Sequence, residues 1–148
     1  MRPLSLAFVL ALAGCGGASP SGPSAVSPGS SWTVERIVYP SGEVIRGGGE
    51  TVAFGADGSL SIASCNTCQG RYRARSGTLT IREPLACTRR ACAADEIQLE
   101  QFIGGTQSVE RDGAYLVLTT VVDEDAERPA ADPPSVLLLP QQAPQASR

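Results

Sequence analysis

Histidine and lysine are absent from this chain of 148 residues, and all 12 of its basic residues are arginines. The missing imidazole removes the side chain used most often for general acid or base work near neutrality and for holding zinc. Histidine-based triads and histidine-based metal hydrolysis are thereby excluded. A global positive field is lacking too, because 15 acidic residues outnumber the arginines and leave a net charge of −3. Nothing on that scale would hold a nucleic-acid backbone through counterion release, so no nucleic-acid partner is expected. What is present is 42% apolar residues with a mean hydropathy near zero. That suits one compact domain with appendages and is too short for two ordinary ones.

The amino-terminal segment bears on the compartment. Arg2 supplies a positive start, and Leu4 to Leu12 form an apolar stretch about half the ~20 residues that a membrane-spanning helix requires. A secretory signal over residues 1–14 is the reading that follows. Its end, Leu12-Ala13-Gly14-Cys15, resembles the bacterial lipobox. That resemblance implies diacylglycerol on the thiol of Cys15, cleavage before it, and acylation of the new amine. Two or three acyl chains give durable anchoring where one gives marginal binding. An ordinary signal peptide with an incidental Cys15 is the alternative. Residues 16–31 hold six Ser, four Gly and three Pro, with Val26 as the one large apolar side chain, and read as a flexible tether after the lipidated cysteine.

From Trp32 the hydrophobic period becomes that of strands. Trp32 to Tyr39 is rich in β-branched and aromatic residues and stops at Pro40-Ser41-Gly42. Thr51 to Phe54 and Ser59 to Ser64 flank the turn Gly55-Ala56-Asp57-Gly58, a hairpin signal. Gly70 to Arg75 alternates three arginines with Gly70, Tyr72 and Ala74, and Ser76-Gly77 turns it into Thr78 to Ile81. Gln107 to Arg111, Asp112-Gly113 and Ala114 to Val122 form a further hairpin, and Ser135 to Leu139 a closing strand. Ala94 to Ile103, with Asp95 and Glu96 at its start and Gly104-Gly105 at its end, reads as one short α-helix. About eight closely spaced strands and one helix predict a mainly β fold, a small antiparallel β-barrel-like roll. Residues 140–148 read as a disordered tail.

The remaining cysteines stand in two pairs, Cys65/Cys68 and Cys87/Cys92. In an exported chain two disulfides are the default. A four-cysteine zinc site and a redox-active pair at Cys65 and Cys68 are the alternatives, and spacing alone leaves three disulfide connectivities open. Arg71, Arg73, Arg75, Arg82, Arg89 and Arg90 face Glu83 alone between Cys65 and Cys92. This local excess suits anionic headgroups or an acidic partner, or else is a solvated strand face. Asp123, Glu124, Asp125, Glu127 and Asp132 fit no calcium loop and read as a solubilising segment.

Trp32, the Phe54 to Gly58 turn, Ser64-Cys65-Asn66, Gly70-Arg71-Tyr72, Leu79-Thr80-Ile81, Ala86-Cys87-Thr88, Ala91-Cys92 and Tyr115 to Leu118, in that order, together resemble the META domain of HslJ-like envelope lipoproteins. The resemblance covers the folded part, residues 32–139. It implies a small antiparallel β-roll with a helix, no established molecular activity, and an association with heat shock, antibiotic tolerance and secretion or motility. It also implies pairing of Cys65 with Cys92, leaving Cys68 with Cys87. The expected function is that of a lipid-anchored envelope domain, not an enzyme, that binds or supports other envelope proteins. It is expected as a monomer, with no metal or other cofactor and with the membrane as a partner through Cys15. A carrier for a small apolar ligand in the mouth of the roll is the alternative.

Overall fold

The structure, a computed structural model, describes residues 25–122 and 132–141. The secretory segment, Cys15, most of the tether, the acidic residues from Asp123 to Glu127 and the tail from residue 142 lie outside the described residues. Nine strands follow one another: β1 Ser30–Val38, β2 Val44–Arg46, β3 Thr51–Phe54, β4 Ser59–Ala63, β5 Thr67–Arg75, β6 Thr78–Cys87, β7 Thr106–Asp112, β8 Tyr115–Thr120 and β9 Ser135–Pro140. All neighbouring strands pair antiparallel, and β1 pairs with β9 as well as with β3. Eight strands therefore close into a barrel with no free edge in the ring, and β2 is an extra short strand on β1.

Alternation along the strands sends one set of side chains inward. Val52 and Phe54, Leu60 and Ile62, Leu79 and Ile81, and Leu116 and Leu118 are buried at every second position. In β1 the inward residues are Trp32, Val34 and Ile37, a break of period that coincides with a bulge against β9 between Val34 and Arg36. Across the other edge of β1, β2 and β3 are separated by Gly47-Gly48-Gly49-Glu50. A Cβ on Gly47 would overlap the backbone carbonyl of Val34, so only glycine lets the chain pass this close to β1. Sequence periodicity gave no sign of β2, which is three residues long and half-exposed or exposed throughout.

Two expectations need correction. The segment from Ala94 to Ile103 is not an α-helix; its regular part is one 3-10 turn, Leu99–Gln101. Ile97 and Leu99 are both buried, which requires two residues two apart to face the same way, as in extended chain. Only then does a turn bring Ile103 inward. Of the two acids that favoured a helix start, Glu96 is engaged elsewhere, pairing with Arg90 and accepting the Ala93 amide, and within the segment Glu100 accepts from Ser64 and Asn66. A ten-residue segment has little intrinsic helicity to set against such contacts.

The second correction concerns the tether. Val26 is 1% exposed and belongs to the core, and β1 begins at Ser30. The chain is already part of the fold at residue 25, since the Gly29 amide bonds the Phe54 carbonyl and Arg111 donates twice to the Ala25 carbonyl, at 3.2 and 2.9 Å. The same guanidinium lies 4.6 Å from the centre of the Trp32 ring, a cation–π contact. Composition alone misreads this stretch, since one well-placed valine is enough to cap a barrel end.

Candidate functional site

The barrel has two chemically different ends. One end is built from the chain between β4 and β5 and the long connection from β6 to β7. Here the four downstream cysteines meet two by two, Cys65 with Cys92 and Cys68 with Cys87, with Cα atoms 5.8 and 4.0 Å apart. Cys68 is fully buried and stands opposite Cys87 in the β5–β6 ladder, whereas Cys65 and Cys92 lie half-exposed. Glu96 comes near Cys65 and Cys92, but bonded sulfurs present no thiolate to a metal.

Asn66, 8% exposed, organises this end. Its carbonyl oxygen accepts the Arg90 amide at 2.9 Å and the Thr88 hydroxyl at 3.3 Å, and its amide donates to Glu100 at 3.1 Å. Ser64 completes the ring by donating to Glu100 and accepting the Leu99 amide. The connection from Thr88 to Gln101 is thus held by one asparagine as much as by sulfur. Replacing Asn66 by alanine is expected to cost about 1–3 kcal/mol, because it removes three hydrogen bonds made by a buried side chain. Hydrogen exchange should accelerate at the Arg90 amide, while the β3–β4 ladder keeps its protection. Beside this network lies a shallow groove of about 440 Å³ bearing Glu50, Asp95 and Glu96.

The opposite end carries the turns between β3 and β4, β5 and β6, and β7 and β8, together with the point where the chain enters the barrel. Gly58 and Gly113, after Asp57 and Asp112, take positive φ of 79° and 58°, which their hairpins need and which glycine adopts freely. Tyr72 turns inward, meets Phe54 edge to face at 5.1 Å and donates its hydroxyl to the Gly55 carbonyl at 3.0 Å. Partial burial raises its pKa above the usual phenol value.

On the outer face of the same hairpin lie Arg71, Arg73 and Arg75 of β5 and Arg82 of β6, all exposed. They line an open groove of about 850 Å³ shared with the hydroxyls of Ser76, Thr78 and Thr80. Arg71 donates to the Asp57 carbonyl at 3.0 Å and is 3.8 Å from its carboxylate. Among the described residues, Arg73, Arg75 and Arg82 have no carboxylate within ion-pair distance. Hydrogen bonds from the Ser59 hydroxyl and amide hold the Asp57 carboxyl below its ordinary range, with Arg71 adding a smaller pull. The stabilisation from these bonds is therefore fully present above the unfolded carboxylate pKa and is lost as pH falls through the lower folded value. Arg89 and Arg90 sit at the other end, so the six arginines close in sequence divide into two groups in space.

The lumen between the two ends is filled. Phe54, Ile37, Leu60, Ile62, Leu79 and Leu118 are fully buried, and an apolar guest would have to displace them. Gln107, the one fully buried polar side chain among the described residues, is satisfied by the Gly104 carbonyl and the Thr120 hydroxyl.

The META domain family model matches residues 25–132, and the chain belongs to that family. Its first matched residue is also the first of the described residues. Among solved structures, the NMR structure of the protein from Burkholderia xenovorans is similar at a TM-score of 0.56, with 18% identity over 78% of this chain and 84% of that one. That similarity is one of fold. No curated protein matches the chain. No helix among the described residues is long and apolar enough to cross a membrane.

Proposed function

We propose that this chain is a lipid-anchored domain of the cell envelope, held by acyl chains on Cys15, that acts without catalysis by binding or supporting other envelope proteins. The observation that carries the reading is the two-by-two meeting of all four downstream cysteines in a META barrel. Paired cysteines belong to oxidising compartments outside the cytosol. The segment Leu12-Ala13-Gly14-Cys15 provides a route there. A lumen filled by aliphatic and aromatic side chains favours a role for the outer surface over carriage of a guest. Gly16, standing where aspartate is associated with inner-membrane retention, favours the outer membrane in a cell with two membranes.

Cys15→Ala is the direct test. The variant is expected to leave the membrane fraction, since the acyl chains are the anchor. A variant that still partitions wholly with membranes after a high-salt wash, which removes electrostatic contacts, would contradict the anchor.

A further inference from the structure

We propose that the outer face of the β5–β6 hairpin, with Arg71, Arg73, Arg75 and Arg82, is a docking surface for the anionic phospholipid headgroups of the membrane in which the chain is anchored. The inference rests on the anchored reading above and adds an orientation to it.

Charge is the first support. The four arginines project from two adjacent strands, in register Arg71↔Arg82, Arg73↔Thr80 and Arg75↔Thr78, so positive groups and hydroxyls share one surface. The flanking outward positions are neutral: Ser59 and Ser61 on β4, Thr106 and Ser108 on β7. Asp57 offsets only Arg71, and Glu110, further along β7, forms no ion pair with a described residue. Guanidinium groups suit phosphate through paired N–H donors.

Placement of the tether is the second support. The chain preceding β1 crosses the barrel end, buries Val26, and is gripped at Ala25 by Arg111 of β7. Arg111 stands next to the β7–β8 turn, so Ala25 lies at the barrel end that also carries the β5–β6 turn. Nine residues, 16–24, separate Cys15 from Ala25. Fully extended, the chain from Cys15 to Ala25 spans about 35 Å at most, and less in any compact form. A bilayer holding Cys15 therefore lies within reach of the hairpin, while Glu50, Asp95 and Glu96 occupy the far end. Such a domain would sit arginine-side down, the electrostatic contact adding to the acyl anchor.

The test uses residues 16–148, which contain the whole closed barrel and lack both leader and Cys15, so that the surface is measured without the anchor. The probe is sedimentation with vesicles of phosphatidylcholine alone or mixed with phosphatidylglycerol. The chain is expected to bind the mixed vesicles and not the neutral ones, and to release as salt rises. At roughly fivefold per arginine near an anionic surface, R73S/R82S should reduce partitioning about thirtyfold. R36S/R46S, an equal charge change on β1 and β2 across the barrel, should change it only a few-fold. Equal loss in the two double variants, equal binding to both vesicle types, or capture by soluble polyglutamate in preference to the mixed vesicles would overturn the proposal. Because Cys15 is absent from this chain, a failure here leaves the acyl anchor standing, and failure of the anchor leaves this result standing.

Discussion

Replacing Cys68 and Cys87 together by alanine is expected to lower the free energy of unfolding by about 3 kcal/mol. The bond joins positions 19 residues apart, and closing a loop of that length removes roughly this much conformational freedom from the unfolded chain. Position adds to the effect. Cys68 is fully buried in the core cluster and faces Cys87 directly across the ladder, so truncation also loses apolar contact. Alanine at Cys65 and Cys92 should cost less than the 27-residue separation alone implies, because Asn66 holds the same connection through Arg90, Thr88 and Glu100. Urea denaturation of the two double variants beside the parent measures both effects. An unchanged midpoint for the Cys68 and Cys87 variant would contradict this ordering.

Phe54→Ala is expected to cost about 3–5 kcal/mol, the range for removing a large aromatic side chain from a packed core. Phe54 is among the largest fully buried side chains of the barrel, and it carries the edge-to-face contact with Tyr72. Its neighbours are held by strand pairing on both sides, to β1 and β4, and have little freedom to collapse into the vacated space. Phe54→Leu should recover much of the loss, since it restores volume but not the aromatic pair. The same denaturation measurement applies. Equal losses for alanine and leucine would mean that the aromatic contact and not the filled volume stabilises this end.

Much of this architecture was legible in residue order because its signals are local. Asp57-Gly58, Ser76-Gly77 and Asp112-Gly113 each mark a turn that the structure places between paired strands. Alternation in Leu60 and Ile62, or in Leu116 and Leu118, marks the inward face. The misread parts depend on contacts distant in sequence. Val26 is buried because Arg111, in β7, grips the residue before it. The segment from Ala94 to Ile103 turns first where the Glu96 amide bonds the Ala93 carbonyl and again at Leu99–Gln101, where Ser64 and Asn66 bind Glu100, and helix signals at its two ends do not report those contacts. β2 exists because β1 offers an edge beyond the reach of β3, which three residues could not announce. The arginines were visible as a run, but their division between two places, and the position of Ala25 at the end that carries the β5–β6 turn, require the closed barrel.

Export, acylation and oxidation meet in one quantity, the mass of the intact protein isolated from its own cells without reductant. The account predicts a chain beginning at Cys15, heavier than residues 15–148 by a diacylglyceryl group and an amine-linked acyl chain, and lighter by four hydrogens for two disulfides. A product retaining Met1 through Gly14, or one whose Cys65, Cys68, Cys87 and Cys92 all react with a thiol reagent before denaturation and reduction, would contradict it.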